Sequence, residues 1–166
     1  YLREATGFVK RQSKAQTPFF LYYVPNANHL QQNATGPYAV PESIAGTRIK
    51  GQSRYSDGSK GGDREDMVLE NDIAFGALLE TLRETDDPRH PGHKLIDNTM
   101  VIFTSDNGPN VGDNNGPNQE SGGLRGKKAK LWEGGHRVPF ILFWKGRFEG
   151  RSINRRNCHS SRRNTY

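Results

Sequence analysis

The chain has 166 residues, 32% of them hydrophobic, with a net charge of +6 and a mean hydropathy of −0.88. This length fits one domain or part of a larger one, and no apolar run approaches the roughly 18 residues of a membrane-spanning helix. The single cysteine, Cys158, excludes an internal disulfide framework and any thiolate-rich zinc site.

The positive charge is concentrated at the carboxyl-terminal end of the chain. Residues 145–166 carry seven Lys and Arg residues against one acid, Glu149, which leaves the first 144 residues neutral overall. This distribution does not support a uniformly basic surface, so we expect no nucleic-acid partner for that part of the chain. A non-catalytic binding module whose arginine-rich tail holds nucleic acid stays open as an alternative at this point.

A short helix and a buried strand are predicted for the first 24 residues. Apolar residues recur at helical spacing over residues 2–14, which predicts an amphipathic helix. The continuous aromatic and aliphatic run at 18–24 predicts a buried strand. A polar cluster at 25–29 follows and ends in His29. A lone histidine in such a place is more often a surface residue than a site residue, and both interpretations stay open here.

Residues 30–64 lack a hydrophobic period and are rich in Gly, Ser, Gln and Pro, which predicts a long loop. The loop contains the glycosylation sequon Asn33-Ala-Thr35, which has meaning only if the protein is secreted from a eukaryote.

A helical pattern runs from Asp63 to about Arg83. Its apolar stripe includes one acid, Asp72, for which we expect a bond to the backbone or to a neighbouring basic group rather than a functional role. The other members of the stripe are Val68, Phe75, Leu79 and Leu82. A Pro- and Gly-containing loop at 86–92 ends the helix.

The most informative stretch is Thr99–Gly108, an apolar run that is followed by an acid, an amide and a glycine. Residues 99–103 are too few for an isolated helix and suit a strand covered on both faces. Asp106 and Asn107 then stand at the carboxyl end of the strand, where ligands bind in open α/β sheets. Their oxygens are of the kind that calcium or magnesium prefers. A plain Asx turn explains the same residues equally well.

A third apolar run, residues 140–144, predicts another buried strand. Before it lie a Gly- and Asn-rich loop and a lysine pair, Lys127 and Lys128, bracketed by glycines. Such lysines are normally only solvated, but three strands that each border a polar loop favour a shared site. The helix at 63–83 can connect parallel strands by a right-handed crossover, so we expect an α/β fold with a largely parallel sheet and crossover helices.

The segments taken together resemble the sulfatase family of the alkaline-phosphatase-like superfamily. They follow in the family's order, and the likeness covers about residues 1–148. The matching segments are Pro-Phe-Phe-Leu-Tyr-Tyr-Val-Pro at 18–25 leading to His29, Asn-Thr-Met-Val-Ile-Phe-Thr-Ser-Asp-Asn-Gly at 98–108, Leu-Arg-Gly-Lys-Lys at 124–128 and Glu-Gly-Gly-His-Arg-Val-Pro at 133–139. The resemblance implies a partial alkaline-phosphatase-like (sulfatase) domain that acts on aryl or carbohydrate sulfate esters. It also implies an exported protein, whether periplasmic, secreted or lysosomal.

The resemblance assigns metal and sulfate contacts to three residues. Asp106 and Asn107 match two calcium ligands that the family places after this strand. Lys128 matches the lysine that binds the sulfate ester, although a one-residue shift of the loop would put Lys127 in that place.

His29 matches the histidine at the end of the family's Pro-His-x-Pro-His loop, which implies both substrate binding and catalysis. The loop here is Pro-Asn-Ala-Asn-His, so substrate contacts near Asn26 depart from the family pattern. An imidazole can protonate the leaving oxygen near neutral pH.

Two parts of a sulfatase site are missing from the sequence. The family's nucleophile is a formylglycine made from the cysteine of Cys-x-Pro/Ala-Ser-Arg, and an acidic pair after the first strand completes the calcium site. Both belong upstream of the matched segments. Cys158-His-Ser-Ser-Arg162 imitates the cysteine motif at the other end of the chain, with Ser in place of Pro, and we interpret it as coincidence. We therefore expect residues 1–148 to be the C-terminal part of a sulfatase catalytic domain, inactive alone.

Residues 149–166 depart from the family, which continues with an apolar, Leu-rich segment at this place. Arg, Asn and Ser dominate here, and only Ile153 and Cys158 are plainly apolar. We expect this tail to be truncated or frame-shifted and not well folded.

The alternative within the same superfamily is a phosphoester or phosphonate hydrolase. Such sites commonly use two transition metals with additional Asp and His ligands, often with His after the Asp of the strand-end loop. Asn107 in that place, together with Lys128, favours a sulfate ester.

Overall fold

A computed structural model describes residues 1–29, 39–110 and 121–148, and the chain divides into two compact units, Tyr1–Asn98 and Thr99–Tyr166. The glycosylation sequon, Cys158 and the tail of residues 149–166 lie outside the described residues. No helix within the described ranges has both the length and the apolar character that a membrane crossing requires.

Two helices form the frame of the first unit, as the sequence predicts. Helix α1 spans Leu2–Gln12 and helix α2 spans Asp63–Glu84. Helix α2 begins where the Glu65 carboxylate accepts a hydrogen bond of 2.8 Å from the Gly62 N–H. A 3₁₀ helix at Leu95–Asn98 follows and contributes to the core. The buried apolar residues are Ala5, Val9, Ile49, Met67, Ala74, Leu78, Leu82, Leu95 and Ile96.

The buried face of α2 coincides only in part with the predicted apolar stripe. Leu82 of the stripe is buried, whereas Val68 is 49% exposed, Asp72 is exposed, and the buried Leu78 lies outside the stripe. Solvent therefore covers the carboxylate for which the sequence predicted a backbone or basic partner. The acid of α2 that is buried is Asp66, because a neighbouring loop provides donors for it.

Asp66 connects the loop before α2 to the helix through hydrogen bonds. Its carboxylate accepts hydrogen bonds from the Gly51 N–H at 2.5 Å and the Ser53 N–H at 2.9 Å, and the residue is 2% exposed. Burial by itself raises the pKa of Asp66, but hydrogen bonds from Ser53, Gly51 and Gln52 outweigh burial and hold the pKa below its ordinary value. The folded unit therefore stabilises the charged form.

We expect Asp66→Asn to lower the free energy of unfolding of the purified chain by about 2 kcal/mol at pH 7, because a charge-assisted acceptor is lost. Since the pKa is lower in the folded than in the unfolded chain, this stability is complete above the unfolded pKa of about 4 and is lost as the pH falls through the folded pKa. Urea denaturation at steps from pH 7 to pH 2 measures the difference between the two proteins.

The control is Asp72→Asn, which neutralises an exposed carboxylate of the same helix. It should change the free energy of unfolding by less than about 0.5 kcal/mol. A difference between wild type and Asp66→Asn that does not shrink in acid would contradict the role given to the carboxylate charge.

Residues 18–24, which were expected to form a strand buried on both faces, have no strand partner among the described residues. Their exposure alternates along the chain. Phe20 and Tyr22 are 86% and 80% exposed, while Phe19 packs edge-on against Phe8 of α1 with ring centroids 5.7 Å apart. One face is covered and the other is open, so the prediction of burial on both faces is wrong for this unit.

The predicted loop of residues 30–64 contains a small hairpin. Strand β1 (Ser43–Ile44) pairs antiparallel with strand β2 (Thr47–Arg48). The two connecting residues, Ala45 and Gly46, have φ values of 48° and 78°, as a tight hairpin turn requires.

The second unit contains an antiparallel strand pair. Strand β3 (Val101–Thr104) runs beside strand β4 (Phe140–Phe143), and the short helix α3 (Glu133–His136) precedes β4. Both predicted strands are therefore present, but neither is covered on both faces, since Ile102 is 49% and Phe140 is 66% exposed. No parallel pair occurs among the strands that the structure describes.

Candidate functional site

The acid and the amide predicted as metal ligands stand directly after β3, in what we call the acid–amide turn (residues 105–108). Asp106 is exposed and Asn107 is half-buried. The Ser105 hydroxyl donates to the Asn107 carbonyl oxygen at 3.0 Å, and Asn107 Nδ2 donates to the Gly108 carbonyl oxygen at 2.9 Å. Since the amide nitrogen is used inside the turn, the amide oxygen is the side-chain atom that Asn107 offers to a cation.

Main-chain hydrogen bonds connect the lysine loop (residues 124–131) and α3 to the acid–amide turn and to Pro109, the residue directly after it. The Lys128 N–H donates to the Pro109 carbonyl oxygen at 2.9 Å. The Gly108 N–H donates to the Gly135 carbonyl oxygen, also at 2.9 Å. The second unit thus gathers three of the four predicted site residues into one cluster of loops.

Three buried glycines, Gly108, Gly134 and Gly135, allow this contact and form the glycine crossing. A Cβ atom on Gly108 would overlap the Gly134 carbonyl oxygen, and one on Gly134 would stand 2.8 Å from the Arg125 carbonyl oxygen. The two stretches of main chain therefore pass each other at a distance that only glycine permits. The sequence motifs at 98–108 and 133–139 include these glycines, but the sequence did not predict that the two segments are in contact.

Arg125 stacks on Trp132 at the two ends of the lysine loop. Its guanidinium carbon lies 3.5 Å from the centroid of the indole ring, and its carbonyl oxygen accepts a hydrogen bond of 2.7 Å from the Gly134 N–H. A cation over an aromatic face contributes about 0.5–1 kcal/mol at exposed sites. The pair therefore steadies the loop that carries Lys128, and no signal in the sequence predicted it.

The acid of α3 is engaged by side chains of its own helix and by the residue directly after it. Glu133 binds the Arg137 guanidinium, and His136 Nε2 lies 3.4 Å from the Glu133 Oε1 atom. The hydrogen bond from Arg137 holds the pKa of Glu133 below its usual range. Glu133 therefore serves its own helix, and Asp106 is the better candidate for a metal ligand.

The fourth predicted residue, His29, ends a tight turn in the first unit and is exposed. Its N–H donates to the Asn26 carbonyl oxygen at 3.1 Å, and Asn28 has a φ of 73°, which asparagine tolerates better than most residues. Asn71 of α2 donates from Nδ2 to the Ala27 carbonyl oxygen at 3.3 Å. The turn is thereby attached to the helix by a residue that the sequence analysis missed.

A cavity of about 230 Å³ lies beside this turn in the first unit. Its lining includes Asn26, Ala27, Tyr23 and Glu70. Burial raises the pKa of Glu70, and burial together with the Glu70 charge raises the pKa of Tyr23. The cavity therefore favours the proton-bearing form of both side chains.

The donors of the acid–amide turn suit calcium. A carboxylate and an amide oxygen are hard ligands, which calcium takes in sets of about six to eight. Within the described ranges, no three His, Cys, Asp or Glu side chains come together as a metal site. The turn thus fits the ion as a contributor of two donors, and a complete site needs further ligands.

A family model that describes sulfatases matches residues 1–161 of the chain. The chain is 38% identical over 153 residues to the N-acetylgalactosamine-6-sulfatase of Canis lupus familiaris, 33% over 152 residues to a sulfatase of Formosa agariphila, and 30% over 156 residues to arylsulfatase G of Homo sapiens. Each alignment covers 89% of the chain but only 23%, 25% and 25% of these relatives. The chain thus spans about a quarter of the length of the curated relatives it matches. The comparison with solved structures finds no match.

Proposed function

The chain belongs to the sulfatase family, and we propose that it supplies part of the active site of a sulfuric ester hydrolase. The observation that carries this proposal is a pair of main-chain hydrogen bonds: one joins the lysine loop to Pro109, directly after the acid–amide turn, and the other joins Gly108 of that turn to α3. A cation beside Asp106 and Asn107 and the ammonium of Lys128 would then act on one anionic group.

Each proposed residue acts on a different part of the sulfate ester. Lys128 binds the sulfuryl oxygens, whose negative charge grows as the nucleophile adds to sulfur. When the S–O bond to the leaving group breaks, its electron pair goes to the leaving oxygen. His29 protonates the leaving oxygen, which departs as an alcohol or a phenol. Calcium held in part by Asp106 and Asn107 would supply fixed positive charge at the sulfate group. Preorganised contacts of this kind contribute roughly 3–4 kcal/mol each.

On this proposal, the nucleophile is a formylglycine in the remainder of the full-length protein. The acidic pair that completes the calcium site lies there as well. Residues 1–148 would be the C-terminal part of the catalytic domain, and residues 149–166 an altered tail. Exposed apolar side chains on β3, β4 and residues 18–24 support this division, because such surfaces are normally covered by neighbouring elements. With the missing strands in place, we propose that the sheet is largely parallel.

Among sulfate esters we propose a carbohydrate sulfate as the natural substrate. Relatives named N-acetylgalactosamine-6-sulfatase match at 34–38% identity, above the 30% of arylsulfatase G. An exported location goes with this proposal.

We expect the purified 166-residue chain not to hydrolyse aryl sulfates or N-acetylgalactosamine 6-sulfate, because its sequence lacks the cysteine motif from which the family's formylglycine is made. The full-length protein that contains it should hydrolyse at least one of them, and chelation of calcium should abolish that activity. Sequencing the coding DNA on both sides of this stretch identifies that protein and should reveal an upstream Cys-x-Pro/Ala-Ser-Arg.

Hydrolysis by the chain alone, lost in Lys128→Ala, would contradict the proposed division of the site. A full-length protein that hydrolyses phosphate esters faster than sulfate esters would instead identify a phosphoester hydrolase of the same superfamily.

A further inference from the structure

The turn that carries His29 has little structure of its own to fix it. Its internal hydrogen bond, from the His29 N–H to the Asn26 carbonyl oxygen, is 3.1 Å long, and Asn28 occupies the left-handed region with a φ of 73°. Asparagine adopts that region more readily than most residues, so the turn is not strained there. One hydrogen bond fixes the turn only weakly, and a contact from outside the turn would restrict its position further.

Asn71 provides such a contact from the rigid helix α2. Its Nδ2 atom donates to the Ala27 carbonyl oxygen at 3.3 Å, two residues before His29. The Asn71 Oδ1 atom is buried and has no hydrogen-bond partner among the described residues. A half-buried amide with an unsatisfied oxygen destabilises the fold relative to an apolar residue of similar size, so folding alone does not explain this side chain.

A cavity lies beside the turn, next to the Asn71 position. Glu70 precedes Asn71 and lines the cavity, together with Asn26 and Ala27. Close packing is therefore incomplete on this side of the turn. The hydrogen bond from Asn71 links the turn to the helix at this place.

We infer that Asn71 is a positioning residue, which holds the turn of residues 25–29 so that His29 reaches the leaving oxygen of the sulfate ester. The statement that His29 reaches the leaving oxygen rests on the proposed function. The statement that Asn71 holds the turn does not. A shift of about 1 Å in a catalytic group can lower a rate by as much as about a hundredfold. Loss of the one hydrogen bond from Asn71 can therefore change the reaction rate measurably.

The first test follows the turn itself, in the 166-residue chain. Asn71→Leu keeps the side-chain volume and removes the donor, and the exchange rate of the His29 amide should rise by about fivefold, the effect of one ordinary hydrogen bond. Glu80→Gln, which changes an exposed acid of the same helix, is the control and should leave this rate unchanged. An unchanged rate in Asn71→Leu would overturn the inference.

The second test uses the full-length protein and a series of aryl sulfates whose phenols differ in acidity. Proton donation matters most when the leaving phenol is weakly acidic, so Asn71→Leu should lower kcat by about tenfold for such substrates and by much less for nitrophenyl sulfates. KM should change little. An equal loss of kcat for every substrate would show a general structural defect and would overturn the positioning role. A wild-type protein without sulfatase activity would overturn the proposed function, and amide exchange would still decide whether Asn71 holds the turn.

Discussion

Asp106→Ala in the full-length protein is expected to lower kcat/KM for sulfate esters by at least about a thousandfold. Asp106 is the carboxylate of the acid–amide turn, and loss of a charged ligand removes both calcium and the fixed charge that calcium supplies. The fold should not change, because Asp106 is exposed and its hydrogen bond from the Ser105 hydroxyl is long, at 3.5 Å. Calcium titration calorimetry and steady-state kinetics measure the two effects.

Thermal unfolding separates metal loss from misfolding. Calcium should raise the unfolding temperature of the wild type, since it binds only the folded protein, and should leave that of Asp106→Ala unchanged. With EDTA present the two proteins should unfold at the same temperature. The control Glu80→Gln should keep wild-type calcium affinity. Unchanged calcium affinity in Asp106→Ala would show that Asp106 is not a ligand.

Lys128→Ala is expected to lower kcat/KM by about a hundredfold to a thousandfold, the usual effect of removing one preorganised contact to a developing negative charge. The loss should appear largely in kcat, because the ammonium interacts most strongly when charge on the sulfuryl oxygens is greatest. Calcium affinity should stay within a few-fold of wild type.

Lys127→Ala is the matched control, because it removes the same charge from the adjacent position of the lysine loop. The main-chain bond from Lys128 to Pro109 favours Lys128 over Lys127 as the lysine of the candidate site. A small effect of Lys127→Ala supports this register. If Lys127→Ala lowers kcat/KM more than Lys128→Ala does, the loop is shifted by one residue relative to the family motif. Lys127 would then replace Lys128 as the proposed sulfate-binding lysine.

Helix positions were the most predictable part of the fold. Periodic apolar residues predicted helices over 2–14 and from 63 to about 83, and the observed helices are Leu2–Gln12 and Asp63–Glu84. The buried face of α2 could not be predicted, since it depends on the loop that bonds to Asp66. Periodicity within a helix does not show which polar residue a distant loop will cover.

Strand burial was harder to predict for a related reason. The runs at 99–103 and 140–144 do contain strands, but a continuous apolar run shows only that a strand suits burial on both faces. It does not show whether the covering elements are present. Here β3 and β4 pair with each other and expose much of their apolar surface.

The arrangement of the candidate site could not be predicted from the sequence. Motif order assigned roles to Asp106, Asn107 and Lys128, which stay predictions, and the main-chain bonds that bring their segments together came only from the structure. Asn71 and the Arg125–Trp132 pair gave no signal, because each contact depends on how the chain folds rather than on a recurring spacing.

The glycine crossing makes the spacing of the candidate site a property of the main chain. Close main-chain contacts at Gly108, Gly134 and Gly135 set how near the lysine loop comes to the acid–amide turn. Leu131 is 97% exposed, and Lys130 beside it is exposed as well. Substitutions at these two positions should therefore leave that spacing unchanged. On the proposed function, the surroundings of the site could change at these two positions while its charged groups keep their places.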